Sequence, residues 1–300
     1  MKNETVLVIG STGLVGIHLI PLLKNKGYNV HAVNRLYSVY PFATNDLIAF
    51  EKQQILAADI IINLAGANIS AKRWTKNRKQ LIVDSRVNTT QMIHEIVMNH
   101  DEKRLKAYIS ASAVGYYGSN PIEKVFVETD SPAFDFLGET CYKWEESANL
   151  FSKIGIRTVK IRTGVVLSSR GGALPKMVVP VKFGFGSAIG SGRQFVPWIH
   201  IDDLCNIYIM AIEHANINGA YNAVAPQYST NKEFMSLIAK VLKKPFWRLN
   251  IPSLLMKAIF GEMSVVLLAG NRVSSEKIRK AGYNFLFPDL FVAFNDLLKN

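Results

Sequence analysis

Thr5-Val6-Leu7-Val8-Ile9-Gly10-Ser11-Thr12-Gly13-Leu14-Val15-Gly16 is the stretch whose reading decides the fold. Five apolar or β-branched residues run into a turn punctuated by glycines, and an apolar helical pattern follows at once. A parallel strand covered on both faces reads as such a run. Glycine belongs where backbone bends tightly or lies against a ligand. The helix that opens there aims unpaired N–H groups and a positive dipole end at whatever stands before it, which suits a pyrophosphate. The stretch reads as a dinucleotide turn.

Working outward, the apolar spacing predicts a helix from Gly13 to Asn25, burying Leu14, Ile17, Leu19, Ile20, Leu22 and Leu23. Pro21 in its interior removes a backbone hydrogen bond and predicts a kink or bulge. Gly27 ends the helix, and Asn29 to Asn34 form a second strand that delivers Arg35. In dinucleotide folds this position reads the adenosine ribose: an acid accepts from the 2′-hydroxyl, whereas an arginine accommodates a 2′-phosphate. Asn34-Arg35 holds no acid, so NADP(H) is favoured over NAD(H).

Leu36 to Gln54 is read as helix or loop. Asp59 to Gly66 is the next buried strand, and its small closing residues leave room for a cofactor's sugar and pyrophosphate. Thr75 is placed as the N-cap of a helix to about His100, with Leu81, Ile82, Val87, Met92, Ile93 and Ile96 on one face. Arg86 on this helix is either a surface charge or a group near phosphate or ribose. Ala107 to Ser112 is a fourth strand leading into Ala113-Val114-Gly115-Tyr116-Tyr117-Gly118. Its hydroxyls either reach a carbonyl being reduced or fill the core; both readings stand. Helix Phe136 to Phe151 and strand Ile156 to Ile161 follow, the latter ending in Arg162-Thr163-Gly164. Alternating strands and helices imply a parallel sheet with ligands outside its carboxyl ends.

Beyond residue 168 the texture changes, with Gly171, Gly172, Gly184, Gly186, Gly190 and Gly192 marking a looped region. Lys176, Lys182, Phe183, Phe185, Arg193, Phe195 and Trp198 are interleaved there and are read as a substrate pocket with cationic groups. A helix to about His214 is expected to start at an Asp202 or Asp203 N-cap. A strand near Tyr221 to Val224 comes next, then a helix capped at Thr230 or Asn231. Helices around Pro252 to Ile259, Met263 to Leu268 and Ser274 to Ala281 close the list. The fold class expected is α/β: a Rossmann-like doubly wound parallel sheet over residues 1–167 and a smaller α+β substrate domain over 168–300. A strand or helix from about 195–226 is expected to return to the first domain.

The chain has 300 residues, 49% of them hydrophobic and 19% charged, as an ordinary globular protein does. Its net charge of +12 is spread along the sequence without a block of five like charges. A basic background with an anionic small ligand accounts for it, so neither nucleic acid nor membrane is expected as a partner. Cys141 and Cys205 are far apart and outside any CxxC spacing, which argues for a reducing compartment and against disulfides or zinc. The N-terminal residues are read as entering a strand directly, so no secretion signal is expected. Ile251 to Gly270 is apolar but carries Lys257 and Glu262, so it reads as buried or partner-facing helices. A cytoplasmic monomer or homodimer is expected.

Gly10-Ser-Thr-Gly13-Leu-Val-Gly16 resembles the GxxGxxG turn of the extended short-chain dehydrogenase/reductases, in their epimerase/dehydratase branch. A narrower likeness, to the YfcH-type epimerase family proteins with a C-terminal domain of unknown function, is carried by motifs along the whole chain. These include Asn63-Leu-Ala-Gly66, Lys72-Arg73-Trp74-Thr75, Ser85-Arg86, Ser110 to Gly118, Trp144-Glu145, Arg162-Thr-Gly164 and Gly171-Gly-Ala-Leu174. Further on they include Gly190-Ser-Gly192, Trp198 to Asp203, Ala225-Pro226 and Gly270-Asn-Arg-Val273. The resemblance implies NADP(H) contacts at Gly10, Thr12, Gly13, Leu14, Val15, Asn34, Arg35, Leu64, Ala65, Gly66 and Arg86. It implies no particular substrate. In the superfamily a serine positions the substrate, and a Tyr-x-x-x-Lys pair on the next helix does acid/base work. Ser112 matches the serine, but Leu137 and Cys141 fall where the pair would stand. Tyr116 and Tyr117 are the candidate substitutes. Three readings follow: an NADP(H)-dependent oxidoreductase or epimerase acting on a carbonyl, hydroxyl or nucleotide-sugar-like molecule; a catalytically weak NADP(H) sensor; and a binder of nucleic acid or an anionic surface.

Overall fold

Alternate residues of the first strand, β1 (Thr5–Ile9), feed two different cores, and the whole sheet follows from that. Val6 and Val8 pack with α1 (Leu14–Asn25) on one face, while Leu7 and Ile9 enter a second cluster on the other. The structure is a computed structural model, which describes residues 4–34, 45–100, 104–119 and 124–299. The chain continues through β2 (Asn29–Val33), α2 (Asn45–Leu56), β3 (Ile60–Asn63), α3 (Lys76–Met98), β4 (Ala107–Ala113), β5 (Val125–Phe126) and α4 (Phe136–Lys153). Next come β6 (Arg157–Thr163), β7 (Val165–Leu167), α5 (Leu174–Lys182), β8 (Trp198–His200), α6 (Ile201–Glu213) and β9 (Gly219–Ala223). The last part holds α7 (Asn231–Val241), α8 (Ser253–Phe260), α9 (Val265–Leu268), β10 (Arg272–Val273), α10 (Glu276–Lys280) and α11 (Leu290–Lys299).

Six strands form one parallel sheet in the order β2-β1-β3-β4-β6-β9. The chain leaves β1 toward β2 and then crosses to β3 on β1's other side, so the order reverses beside β1. In such a doubly wound sheet, that switch point opens a crevice beyond the carboxyl ends of the two central strands. Helices α1 and α6 cover one face, and α3 and α4 the other. A third core joins α5, α7 and α11 below the carboxyl edge, linked to the sheet through the parallel pair β7–β8.

Several expectations are corrected. Helix α1 begins at Leu14 and runs through Pro21, and Ile17, expected on its buried face, is exposed. On α3, Leu81 faces solvent, and the buried stripe is Ile82, Thr89, Thr90, Ile93 and Val97. The first part of the 36–54 segment lies outside the described residues, and its end is α2. Leu174 to Lys182, read as loop, is a helix with Pro175 in its first turn, where a missing N–H costs nothing. Neither Asp202 nor Asp203 caps α6. The cap is His200, whose Nδ1 accepts from the Asp202 N–H at 3.1 Å. Asp203 instead staples the C-terminal loop, accepting from the Tyr283 hydroxyl at 2.7 Å and the Leu286 and Phe287 N–H groups at 2.8 and 3.0 Å.

Candidate functional site

The turn after β1 is held from both sides. The N–H groups of Gly10 and Ser11 both donate to Val33 O of β2, and the Leu64 N–H donates to Ile9 O. Gly10 has φ +85°, and a Cβ there would stand 2.9 Å from the Leu64 carbonyl carbon and 3.1 Å from Ala65 N. Glycine therefore serves both conformation and close approach at this position. A Cβ on Gly16 would stand 2.5 Å from Ser11 O and 2.7 Å from Gly10 O, so the first turn of α1 rests directly on the loop. Gly13 caps α1 without a side chain, and no acid lies in its first turn. Leu14 and Val15 pack against the sheet core, so what they offer a ligand is backbone N–H. This is a cradle for an anion between β1 and β3.

The flanking predicted residues converge on it. Thr12 Oγ1 donates to Asn34 Oδ1, tying the turn to the end of β2. Arg35 lies outside the described residues. Beyond β3, Asn63 fixes the Leu64-Ala65-Gly66 segment: its Oδ1 accepts from the Ala65 N–H at 3.0 Å, and its Nδ2 donates to the Tyr108 hydroxyl at 2.8 Å. Helix α3 clamps the same segment. Ser85 Oγ accepts from the Ala67 N–H at 2.9 Å, and Arg86 Nη1 donates to the Ala67 and Ile82 carbonyls at 3.2 and 2.8 Å. The Arg86 guanidinium lies so close to Gly66 that a Cβ there would sit 2.9 Å from its Cζ. It also stands over the Trp144 ring at 4.9 Å. Burial, with Arg78 nearby, pulls Arg86 down to about 10, partly offset by Cys141; it remains a cation at neutral pH. The surface-charge reading of Arg86 is thereby corrected. Through Trp144 the guanidinium contacts α4 one turn on from Cys141, the position at which the superfamily's lysine is absent.

Ser112, Tyr116 and Tyr117 are also brought together, in a buried polar cluster at the carboxyl ends of β4 and β6. Ser112 Oγ donates to Glu145 Oε1 at 2.7 Å. Arg162 engages Glu145 through two parallel bonds, Nε to Oε1 at 2.8 Å and Nη2 to Oε2 at 2.9 Å. Arg162 Nη1 donates to the Tyr117 hydroxyl at 2.9 Å, which in turn donates to Asn222 Oδ1 at 2.7 Å. The Tyr116 ring lies against the Arg162 guanidinium, 3.5 Å from centroid to Cζ. Burial pushes the Tyr117 phenol up to about 12 against the opposing pull of Arg162. The Tyr116 phenol is raised for the same reason. Both are protonated donors at neutral pH. A Tyr-x-x-x-Lys spacing does occur at Tyr228 and Lys232. It straddles the Thr230 cap of α7 rather than following Ser112's strand, so it is not the superfamily pair.

Leu137 and Cys141 lie against Gly115, 3.4 and 3.6 Å from where its Cβ would stand, so these two positions of α4 supply neither a phenol nor an ammonium; the carboxylate one turn further on, Glu145, is paired with Arg162. Burial pushes the Cys141 and Cys205 thiols each up to about 12. A neutral-pH thiol reagent is therefore expected to label neither cysteine in the folded protein and both after denaturation. Native labelling of either within the mixing time would contradict this burial.

Among the described residues no group of His, Cys, Asp and Glu is arranged to hold a metal ion, and no helix is long and apolar enough to cross a membrane. The parallel doubly wound sheet, the glycine cradle at its switch point and the helical C-terminal region define an extended short-chain dehydrogenase/reductase. Residues 6–223 match the NAD dependent epimerase/dehydratase family, and the chain belongs to it. Residues 251–297 match a domain of unknown function, DUF1731. The chain is 36% identical to the epimerase family protein YfhF of Bacillus subtilis, over 98% of this chain and 97% of that one. It is 34% identical to mouse epimerase family protein SDR39U1, with coverage of 98% and 99%. Among solved structures, human SDR39U1 with NADPH superposes with a TM-score of 0.87 at 33% identity, covering 99% of both chains. A nucleoside-diphosphate sugar epimerase from Corynebacterium glutamicum gives 0.79 at 29% identity, over 99% of this chain and 58% of that one.

Proposed function

We propose that this chain binds NADP(H) in the β1–β3 cradle and is an oxidoreductase or epimerase acting on a small carbonyl, hydroxyl or nucleotide-sugar-like molecule. The observation that carries the reading is the tight glycine turn: a Cβ on Gly10 would meet the Leu64 carbonyl and one on Gly16 the Ser11 and Gly10 oxygens, so the start of α1 is held at the carboxyl ends of β1 and β3. The human relative's NADPH and the Corynebacterium relative's name agree with it. Gly10, Thr12 and Gly13, with the N–H groups of Leu14 and Val15, would hold the pyrophosphate. Asn34 and Arg35 would take the adenosine side with its 2′-phosphate. Leu64, Ala65 and Gly66 would lie along the sugar, and Arg86 would supply the cation that α4 lacks. The cofactor, when bound, supplies or accepts a hydride at nicotinamide C4.

The proton is assigned to Tyr116. Tyr117 has both functions of its hydroxyl spent, accepting from Arg162 and donating to Asn222. Ser112, whose proton goes to Glu145, presents lone pairs to a substrate hydroxyl. Residues 168–300 are assigned to substrate recognition. In NADPH oxidation assays with a panel of carbonyls and nucleotide sugars, Tyr116→Phe is expected to lower turnover about 100-fold while leaving NADPH affinity unchanged. Wild-type activity in Tyr116→Phe would remove the assignment. The closed Ser112–Glu145–Arg162–Tyr117 network favours one alternative, a cofactor-binding sensor. Tight NADPH binding with no turnover across the panel would select it.

A further inference from the structure

The basic and aromatic residues expected to form one substrate pocket are not gathered into one, although Phe195 borders a small cleft beside Arg272. Trp198 is in the core, whereas Phe183 and Phe185 are 76% and 69% exposed. Helices α5 and α7 pack together and end side by side, and the turns that follow them pair through Gly186 and Phe246. The second turn adds Trp247 and Leu249, 57% and 85% exposed. Four large apolar side chains thus crowd one tip of the C-terminal region. The tip is preorganised: the Trp247 indole N–H donates to Gly184 O at 2.7 Å, the Trp247 backbone N–H to Gly186 O at 2.7 Å, and the Phe185 N–H to Pro180 O at 2.9 Å.

The same tip is cationic. Residues 174–195 and 234–261 contain eight Lys and Arg and no Asp or Glu. Lys182, Lys243, Lys244 and Arg248 flank the four apolar residues, all exposed, and none is ion-paired among the described residues. Lysines at two helix C-termini complement the helix dipoles. That role does not require bare Phe, Trp and Leu between them.

We propose that this tip docks peripherally on an anionic lipid bilayer, with Phe183, Phe185, Trp247 and Leu249 entering the interface and the four cations meeting the headgroups. Rigid aromatic and aliphatic side chains ringed by Lys and Arg are the composition that interfacial binding uses. A second copy of the chain is a poorer occupant, because a two-fold contact would set each cation cluster against itself. Nucleic acid would use the cations and rings, but gains nothing from Leu249, which offers no stacking surface.

The test is co-sedimentation of the full chain with phosphatidylcholine vesicles, with and without phosphatidylserine. Phosphatidylserine is expected to raise partitioning at least about tenfold, and added salt to reverse it. Tryptophan emission should shift to the blue on binding through Trp247, because Trp74, Trp144 and Trp198 are already buried. Phe183→Ser with Trp247→Ser should cut partitioning about tenfold, and Lys243→Glu with Arg248→Glu should abolish its dependence on phosphatidylserine, with unchanged thermal unfolding in both. Partitioning indifferent to phosphatidylserine, or either variant binding as wild type does, overturns the proposal. So does a dimer that dissociates in Phe183→Ser, or tighter binding to an oligonucleotide than to the vesicles.

Discussion

Arg162→Met is expected to destabilise the fold by about 3–5 kcal/mol, enough to lower Tm by roughly 10 °C in a chain of this size. The reason is what the substitution leaves behind. The side chains of Arg162 and Glu145 are 4% and 6% exposed, and the guanidinium donates one hydrogen bond to each carboxylate oxygen. Removing the cation leaves Glu145 buried with only Ser112 among these partners, and takes a donor from the Tyr117 hydroxyl and from Glu128 O. An unpaired buried charge costs far more than the pair contributes over a well-packed apolar substitute. Glu145→Leu combined with Arg162→Met should therefore be less damaging than the sum of the single changes, by at least about 1 kcal/mol in a double-mutant cycle. Denaturant melts of the four proteins decide it. Additive effects, or a single Arg162→Met cost below about 1 kcal/mol, would mean that water reaches the pair and that the cluster is not the closed network described.

That network is also where sequence reasoning stops. The Gly10 to Gly16 turn was legible because its constraints are local: a buried strand, a reversal and a helix start all lie within a dozen residues. Thr75 and Thr230 were legible as caps for the same reason, and each side chain accepts from an N–H three residues on. The partners of Tyr117, by contrast, are Arg162 and Asn222, one of them 105 residues away, and only strand order brings them together. Ser112 and the tyrosines were placed in one region by sequence, but not the fact that Glu145 and Arg162 already hold two of their hydroxyls. Asp203 looked like a cap because Asp commonly caps helices; Tyr283, 80 residues on, captured it, and the imidazole of His200 took the vacated function. Helix α11 was within reach, since its buried residues Leu290, Ala293, Phe294 and Leu297 repeat at helical spacing. Helix α5 was not, because two prolines and the surrounding glycines carry the local signature of loop.

Gly16→Ala should weaken NADPH binding by about 10–100-fold, although the substitution adds one methyl group and touches no position expected to contact the cofactor through a side chain. The added Cβ would lie 2.5 Å from Ser11 O and 2.7 Å from Gly10 O. Both are backbone atoms of the turn, and that turn is itself pinned to Val33 O and pressed against Leu64. Neither can give way cheaply, so the first turn of α1 must lift off the loop. Overpacking of this kind costs about 1–3 kcal/mol of stability. It also draws the N–H groups of Leu14 and Val15 away from the position the turn defines for an anion. A hydrogen bond to a charged group is worth about 1.5–3 kcal/mol, so misplacing one accounts for the predicted factor. Gly171→Ala is the control: it adds a methyl beside Leu14 of the same helix, but at 3.5 Å from a side-chain carbon and without positive φ. That variant should bind NADPH as the wild type does. Isothermal titration of both variants separates a steric effect at the cradle from a general cost of replacing glycine. If Gly16→Ala bound normally, the contact between α1 and the turn would not be what positions the anion, and the cradle would have to be held by β3 alone.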